Sequence, residues 1–198
     1  MTSPRKGKRT FGVMMVGMAL LLALGAHPSE AQDIPTKRTW SLGSEIDVIP
    51  YATGGFYGSG FWGRDGWKFR SIVARTNIPS FLVSEGYKDK RTDAYALISD
   101  RFFGARRSKL EGLWIGGGAE YWRSRIRTDS SPAFTKYQNY VATAGSGYVW
   151  KVSRHLYLNP WTGGHFVIAG TRDISVGGTV YKQPLFTPEA SVKIGISF

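Results

Sequence analysis

The stretch Phe186-Thr-Pro-Glu-Ala-Ser-Val-Lys-Ile-Gly-Ile-Ser-Phe198 decides the fold. Counted back by two from its end it gives Phe198, Ile196, Ile194, Val192 and Ala190, all apolar. The residues between them, Ser197, Gly195, Lys193, Ser191 and Glu189, are small or polar. A period of two belongs to extended backbone, whose successive side chains point to opposite faces. One face suits lipid and the other a polar lumen, which is the alternation of a membrane-barrel strand.

Working back from this segment, seven more read as strands, so that the set falls near 40–49, 52–62, 67–77, 92–103, 110–126, 136–151, 154–170 and 185–198. Tight connections at Gly63-Arg-Asp-Gly66, Gly104-Ala-Arg-Arg-Ser-Lys109 and Lys151-Val-Ser-Arg154 alternate with longer ones at 78–91, 127–135 and 171–184. Short turns at one end and long loops at the other are the usual asymmetry of such barrels. The pattern is weakest over 78–103, where Pro79 is able to start a helix and 93–100 tolerates one; strand is the better reading. Within the last loop, Ile174-Ser-Val-Gly-Gly-Thr-Val-Tyr181 has a hairpin pattern of its own, turning at Gly177-Gly178 and extending above the membrane. The expected fold class is all-β: a single antiparallel up-and-down transmembrane β-barrel of eight strands, following an N-terminal signal peptide.

The signal is read in residues 1–31. Arg5, Lys6, Lys8 and Arg9 precede an apolar run from Phe11 to Ala26, too short for a spanning helix, and small residues Ser29 and Ala31 follow. Cleavage after Ala31 leaves 32–198 as one barrel domain with 22 basic and 13 acidic residues, a net charge of +9. After the signal no stretch approaches 18 consecutive apolar residues, which excludes spanning helices. The chain has no cysteine, which excludes disulfides and thiolate metal sites. A closed barrel is stable without them, because every backbone polar group pairs with a neighbouring strand.

The signal, the strand spacing and the ending Val192-Lys-Ile-Gly-Ile-Ser-Phe198 together resemble the small OmpA/OmpX-like barrels of bacterial outer membranes. The resemblance is architectural and includes no catalytic motif. It implies location in the cell outer membrane, and it implies that Val192, Ile194, Ile196 and the terminal Phe198 form an assembly signal for the barrel-assembly machinery.

Several polar residues fall on inward-facing positions. Glu45 and Asp47 share one face of the first strand, opposite Ser44, Ile46 and Val48; Lys68 and Arg70 are spaced alike on the third. Glu120, Lys151, Glu189 and Lys193 lie on the more polar faces of their strands. An eight-stranded barrel is narrow enough to be filled by side chains, so the eight residues are expected to pair as a lumen ionic network. A catalytic carboxylate pair and an ion path are the functional rivals of that structural role.

No other constellation is as strong. His155 and His165 are separated by about 33 Å of extended strand and cannot share a metal. Ser153 near His155 lacks the glycine-flanked elbow of a hydrolase nucleophile. The glycines of Trp114-Ile-Gly-Gly-Gly-Ala-Glu-Tyr-Trp122 lie inside one β segment and not between strand and helix, so they are expected to bend the strand or admit a large lumen side chain, not to cradle phosphate. The pairs Tyr121 and Trp122, Tyr148 and Trp150, Tyr157 and Trp161, and Phe102 and Phe103 are read as interfacial girdles. The basic clusters Arg101, Arg106, Arg107, Lys109 and Arg123, Arg125, Arg127 are read as solvated barrel ends able to meet lipid phosphate.

The functional expectation is an integral outer-membrane protein with a structural or surface-interaction role. No cofactor and no metal are expected. The expected partners are outer-membrane lipids and lipopolysaccharide, since the positive charge of an exported chain is better matched to these than to nucleic acid. The rivals are an outer-leaflet lipid-modifying enzyme (acyl transferase or deacylase), a narrow channel, and a soluble exported barrel of lipocalin type.

Overall fold

The computed structural model describes residues 40–198; the signal read in 1–31 and the first residues of the barrel domain lie outside them. In chain order the strands are β1 (Ser41–Asp47), β2 (Phe56–Arg64), β3 (Trp67–Asn77), β4 (Tyr87–Phe102), β5 (Gly112–Thr128), β6 (Thr135–Lys151), β7 (Leu156–Gly170), β8 (Asp173–Val176), β9 (Thr179–Lys182) and β10 (Phe186–Ser197). Strands β1 to β7 and β10 close into one antiparallel barrel in which every strand pairs with its neighbour in sequence and β1 pairs with β10. Closure leaves no edge, so the backbone polar groups of the wall are satisfied within it. The expected fold class therefore stands, with β8 and β9 as a separate two-stranded sheet.

Side-chain alternation sets the two surfaces. Glu189, Ser191, Lys193 and Gly195 point inward on β10, while Ile194 and Ile196 point outward. The outward surface is ringed by aromatics at two levels. At the end that carries the carboxyl terminus, Trp40, Trp62, Phe69 and Trp67 follow one another at centroid separations of 5.7, 4.4 and 6.2 Å. At the loop end Tyr95, Tyr121 and Tyr140 form a row at 6.5 and 5.4 Å. Tyr140 and Trp150 both face outward on β6, ten residues apart. That is about 33 Å along a strand and about 25 Å along the axis at a ~40° tilt, the height of the apolar band of a membrane barrel.

Half of the expected girdle residues belong elsewhere. Trp122, Tyr157, Trp161 and Phe102 point inward, whereas Tyr121, Tyr148, Trp150 and Phe103 point outward. Adjacent residues of a strand face opposite ways, so an aromatic pair such as Tyr121-Trp122 cannot both lie in a girdle.

Local chemistry accounts for other departures. β1 ends at Asp47 because its side chain accepts a hydrogen bond from Ile49 N at 3.2 Å and caps the short helix α1 (Val48–Ala52). Pro50, in the first turn, needs no backbone donor there. Val48 is therefore helical, and β2 starts at Phe56, not at 52. The segment over 78–103 is strand from Tyr87 onward. The hairpin β8–β9 folds down over the barrel mouth: Ile174, Val176 and Tyr181 are buried against Ile126 of β5 and Tyr137 of β6.

Candidate functional site

The lumen is filled in layers. Nearest the carboxyl-terminal end lie Phe61, Phe102, Trp114, Val149 and Tyr157, with Leu110 of the β4–β5 turn closing beneath them. Space for the rings comes from glycine: a Cβ at Gly195 would stand 2.2 Å from the Tyr157 ring, and one at Gly147 would stand 2.7 Å from Trp114. The glycines of the β5 run do similar service, since a Cβ at Gly116 would meet the Asp100 carboxylate at 2.1 Å.

Above this apolar layer Lys68 Nζ lies 2.5 Å from Glu45 Oε1. The same oxygen accepts hydrogen bonds from Tyr157 Oη at 2.9 Å and Asn159 Nδ2 at 3.2 Å. Arg70 reaches Asp100 through two nitrogens, Nη2 to Oδ1 and Nε to Oδ2, each at 2.8 Å, and its Nη1 is 3.9 Å from Glu45 Oε2. Glu45, Lys68, Arg70 and Asp100 are each at most 5% exposed. Burying such charges is tolerable only where partners surround them, and here each has one.

The other expected lumen residues are distributed differently. Asp47 stands opposite Lys193 in register, yet its carboxylate is taken by uncharged donors, Trp161 Nε1 at 3.0 Å and Ser191 Oγ. Lys193 instead holds its ammonium 3.7 Å from the centre of the Trp161 ring, and no carboxylate among the described residues is within ion-pair distance of it. Glu120 and Glu189 form a third group nearer the loop end. Glu120 Oε1 is 3.2 Å from His165 Nδ1, and Glu189 Oε2 is 2.6 Å from His165 Nε2. Lys151 joins none of these groups; at the carboxyl-terminal end it donates to Ser197 Oγ. A single network of all eight residues is thus replaced by two clusters, one carboxylate among neutral donors, one ammonium over an aromatic ring, and a lysine at the barrel end.

Asp100, Tyr157, Asn159 and Trp161 are missing from the sequence-derived set. Asp100 shares inward parity with Ile98 and Phe102, a signal that becomes readable only once β4 is fixed as a strand. The aromatic and amide donors carry no charge pattern to mark them.

His165 also has Thr143 Oγ1 3.2 Å from Nδ1. A hydroxyl beside an imidazole suggests a nucleophile, but both ring nitrogens face carboxylates and the Thr143 hydroxyl has Gly164 O as an acceptor at 3.3 Å. Ser153 and His155 do not face each other chemically either. Ser153 Oγ accepts from Leu156 N at 3.1 Å, and His155 turns to Ser197 O at 3.1 Å and to the Phe198 ring at 5.1 Å. His155 lies in the β6–β7 turn and His165 inside the barrel.

Solved structures similar to this chain are barrels of outer-membrane proteins. The N-terminal β-barrel domain of Pseudomonas aeruginosa OprF superposes with a TM-score of 0.51 at 13% identity, over 82% of this chain and 100% of that one. Neisserial surface protein A (NspA) gives 0.51 at 10% identity, over 82% and 99%. A major outer membrane protein from Thermus thermophilus gives 0.52 at 9% identity, over 81% and 99%. No family model and no curated protein matches the chain. What is shared is the fold, a small antiparallel barrel of eight strands in this chain.

Proposed function

We propose that the chain is an integral outer-membrane protein whose lumen is closed to ions by an ionic and aromatic plug, so that its role is structural or one of surface interaction. The observation that carries the reading is the stack of buried groups across the barrel, from Phe61 and Tyr157 through Glu45, Lys68, Arg70 and Asp100 to His165. The outward apolar surface between two aromatic levels supports residence in a bilayer. Lipids and the barrel-assembly machinery are the partners this reading implies, the latter through β10, whose outward residues Val192, Ile194 and Ile196 lead to Phe198.

Planar-bilayer recording of the refolded protein tests the plug. Insertion without conductance steps is expected, whereas regular steps at neutral pH would mean a hydrated path and would assign the barrel to the narrow channels.

A further inference from the structure

The outward faces of β3 to β6 carry a pattern that the lumen does not explain. Strand pairing brings Tyr95, Tyr121 and Tyr140 into one row across β4, β5 and β6. Two residues toward the loop end, the next row reads Arg75, Asp93, Arg123 and Gln138. The row beyond reads Asn77, Arg91, Arg125 and Lys136, and beyond that Lys88 stands opposite Arg127. Three cations therefore sit directly opposite one another on neighbouring strands, an arrangement that destabilises a sheet unless something negative lies among them.

The chain itself supplies too little negative charge. Asp93 is shared by Arg75, at 2.6 Å, and Arg91, at 3.4 Å. Asp89 pairs with Arg127, and Asp129 lies 3.9 Å from Lys88. For Arg123, Arg125 and Lys136 no carboxylate among the described residues is within ion-pair distance. Arg125 and Arg127 lie over the Phe134 ring, at 4.7 and 5.2 Å, which holds Arg125 close against the wall. Its Nε is buried and has no hydrogen-bond partner there.

The height of these rows identifies what is missing. Tyrosines of a membrane barrel sit at headgroup level, and each further pair of residues rises about 5 Å along the axis of a tilted strand. The unpaired cations thus stand about 5 to 10 Å above the tyrosine row, where lipid phosphate lies. Guanidinium groups bind phosphate through paired, charge-assisted hydrogen bonds. We propose that the rows of Arg91, Arg123, Arg125 and Lys136 bind the phosphate groups of a phosphorylated glycolipid of the outer leaflet. More than one phosphate on one headgroup matches cations spread over two rows and three strands. The inference rests on the membrane reading above.

The test is lipid binding to the full barrel refolded in detergent and measured by native mass spectrometry, after heat-modifiable gel mobility has verified folding. The probes are bisphosphorylated lipid A, the same lipid with its phosphates removed, and phosphatidylglycerol. Retention of bisphosphorylated lipid A at least tenfold better than of either other probe is expected. Replacing Arg123→Gln, Arg125→Gln and Lys136→Gln together should abolish the preference, while Arg106→Gln, Lys109→Gln and Arg154→Gln at the opposite end remove the same charge and should leave it intact. Without lipid the first triple variant should be at least as resistant to urea as the parent, because it relieves repulsion; a purely structural role predicts the reverse. Equal retention of phosphorylated and dephosphorylated lipid A, equal loss in both triple variants, or phosphatidylglycerol held as well as lipid A would overturn the proposal. A barrel that refolds in water without detergent would instead refute the membrane reading, so the two failures are distinguishable.

Discussion

Glu45 gathers three donors on one oxygen, and its pairing with Lys68 shows how a single residue acts on the whole lumen. Replacing Glu45→Gln keeps the volume but leaves the Lys68 ammonium buried without its counter-charge. Breaking one side of a buried pair costs about 3–5 kcal/mol, whereas replacing both sides by apolar groups is often close to neutral. The expected outcome is a lowered urea midpoint for Glu45→Gln and recovery of most of that loss in Glu45→Gln/Lys68→Met, with membrane insertion kept in both. An unchanged midpoint in the single variant would show that the pair is solvated. Packing makes a parallel demand at Gly195. A methyl group there meets the Tyr157 ring, so Gly195→Ala should destabilise by about 1–3 kcal/mol unless Tyr157 moves away from Glu45.

At the scale of the element, β10 closes the barrel against β1, and the last hydrogen bonds of the seam join Phe198 N to Leu42 O at 2.9 Å and Leu42 N to Phe198 O at 3.2 Å. Phe198 is 71% exposed, and among the described residues its ring pairs only with the His155 ring, at 5.1 Å. Removing it should therefore change the stability of the finished barrel little while slowing its assembly. Phe198→Ala is expected to reach the outer membrane at a fraction of the parent level, yet to match it in urea once refolded; equal levels in the membrane would deny Phe198 a part in recognition. The strand pattern of β10 was legible because its two faces differ at every position. The faces of β4 differ less, since Ala94, Ala96 and Ser99 blunt the contrast, and this hides the inward parity of Asp100 in the sequence. The inward direction of Glu45, Asp47, Lys68 and Arg70 follows from parity alone. Who pairs with whom does not, because partners are set by strand stagger around the closed ring, which no single strand encodes. The helix α1 was hidden in the same way: Asp47 reads as a strand residue until its side chain is seen to cap Ile49.

Taken whole, the molecule is closed at both ends by different means, with Leu110 and the aromatic layer at one and the β8–β9 hairpin at the other. Lys90 ties that hairpin to the wall, its Nζ donating to Tyr181 Oη at 2.9 Å and to Gln183 Oε1 at 3.0 Å. It lies above the tyrosine row, outside the bilayer span, and burial pushes its pKa down from 10.5 to about 8. Between about pH 8 and 10.5 the open form therefore holds a proton that the closed form has released. Closure must strengthen as pH rises through this window, by up to about tenfold per unit. Tyr181 acts oppositely, because burial raises its pKa, and above about pH 10 the open form loses a phenolic proton that the closed form keeps. Cleavage within 171–185 by subtilisin, normalised to a free peptide of that sequence, should slow from pH 8 to about 9.5 and quicken again above 10. Lys90→Met should remove the slowing and protect the hairpin at pH 7, where the parent still carries the buried charge. A parent cleavage rate that does not vary across pH 8 to 9.5 would mean that Lys90 remains solvated and that the cap is held by its apolar contacts alone.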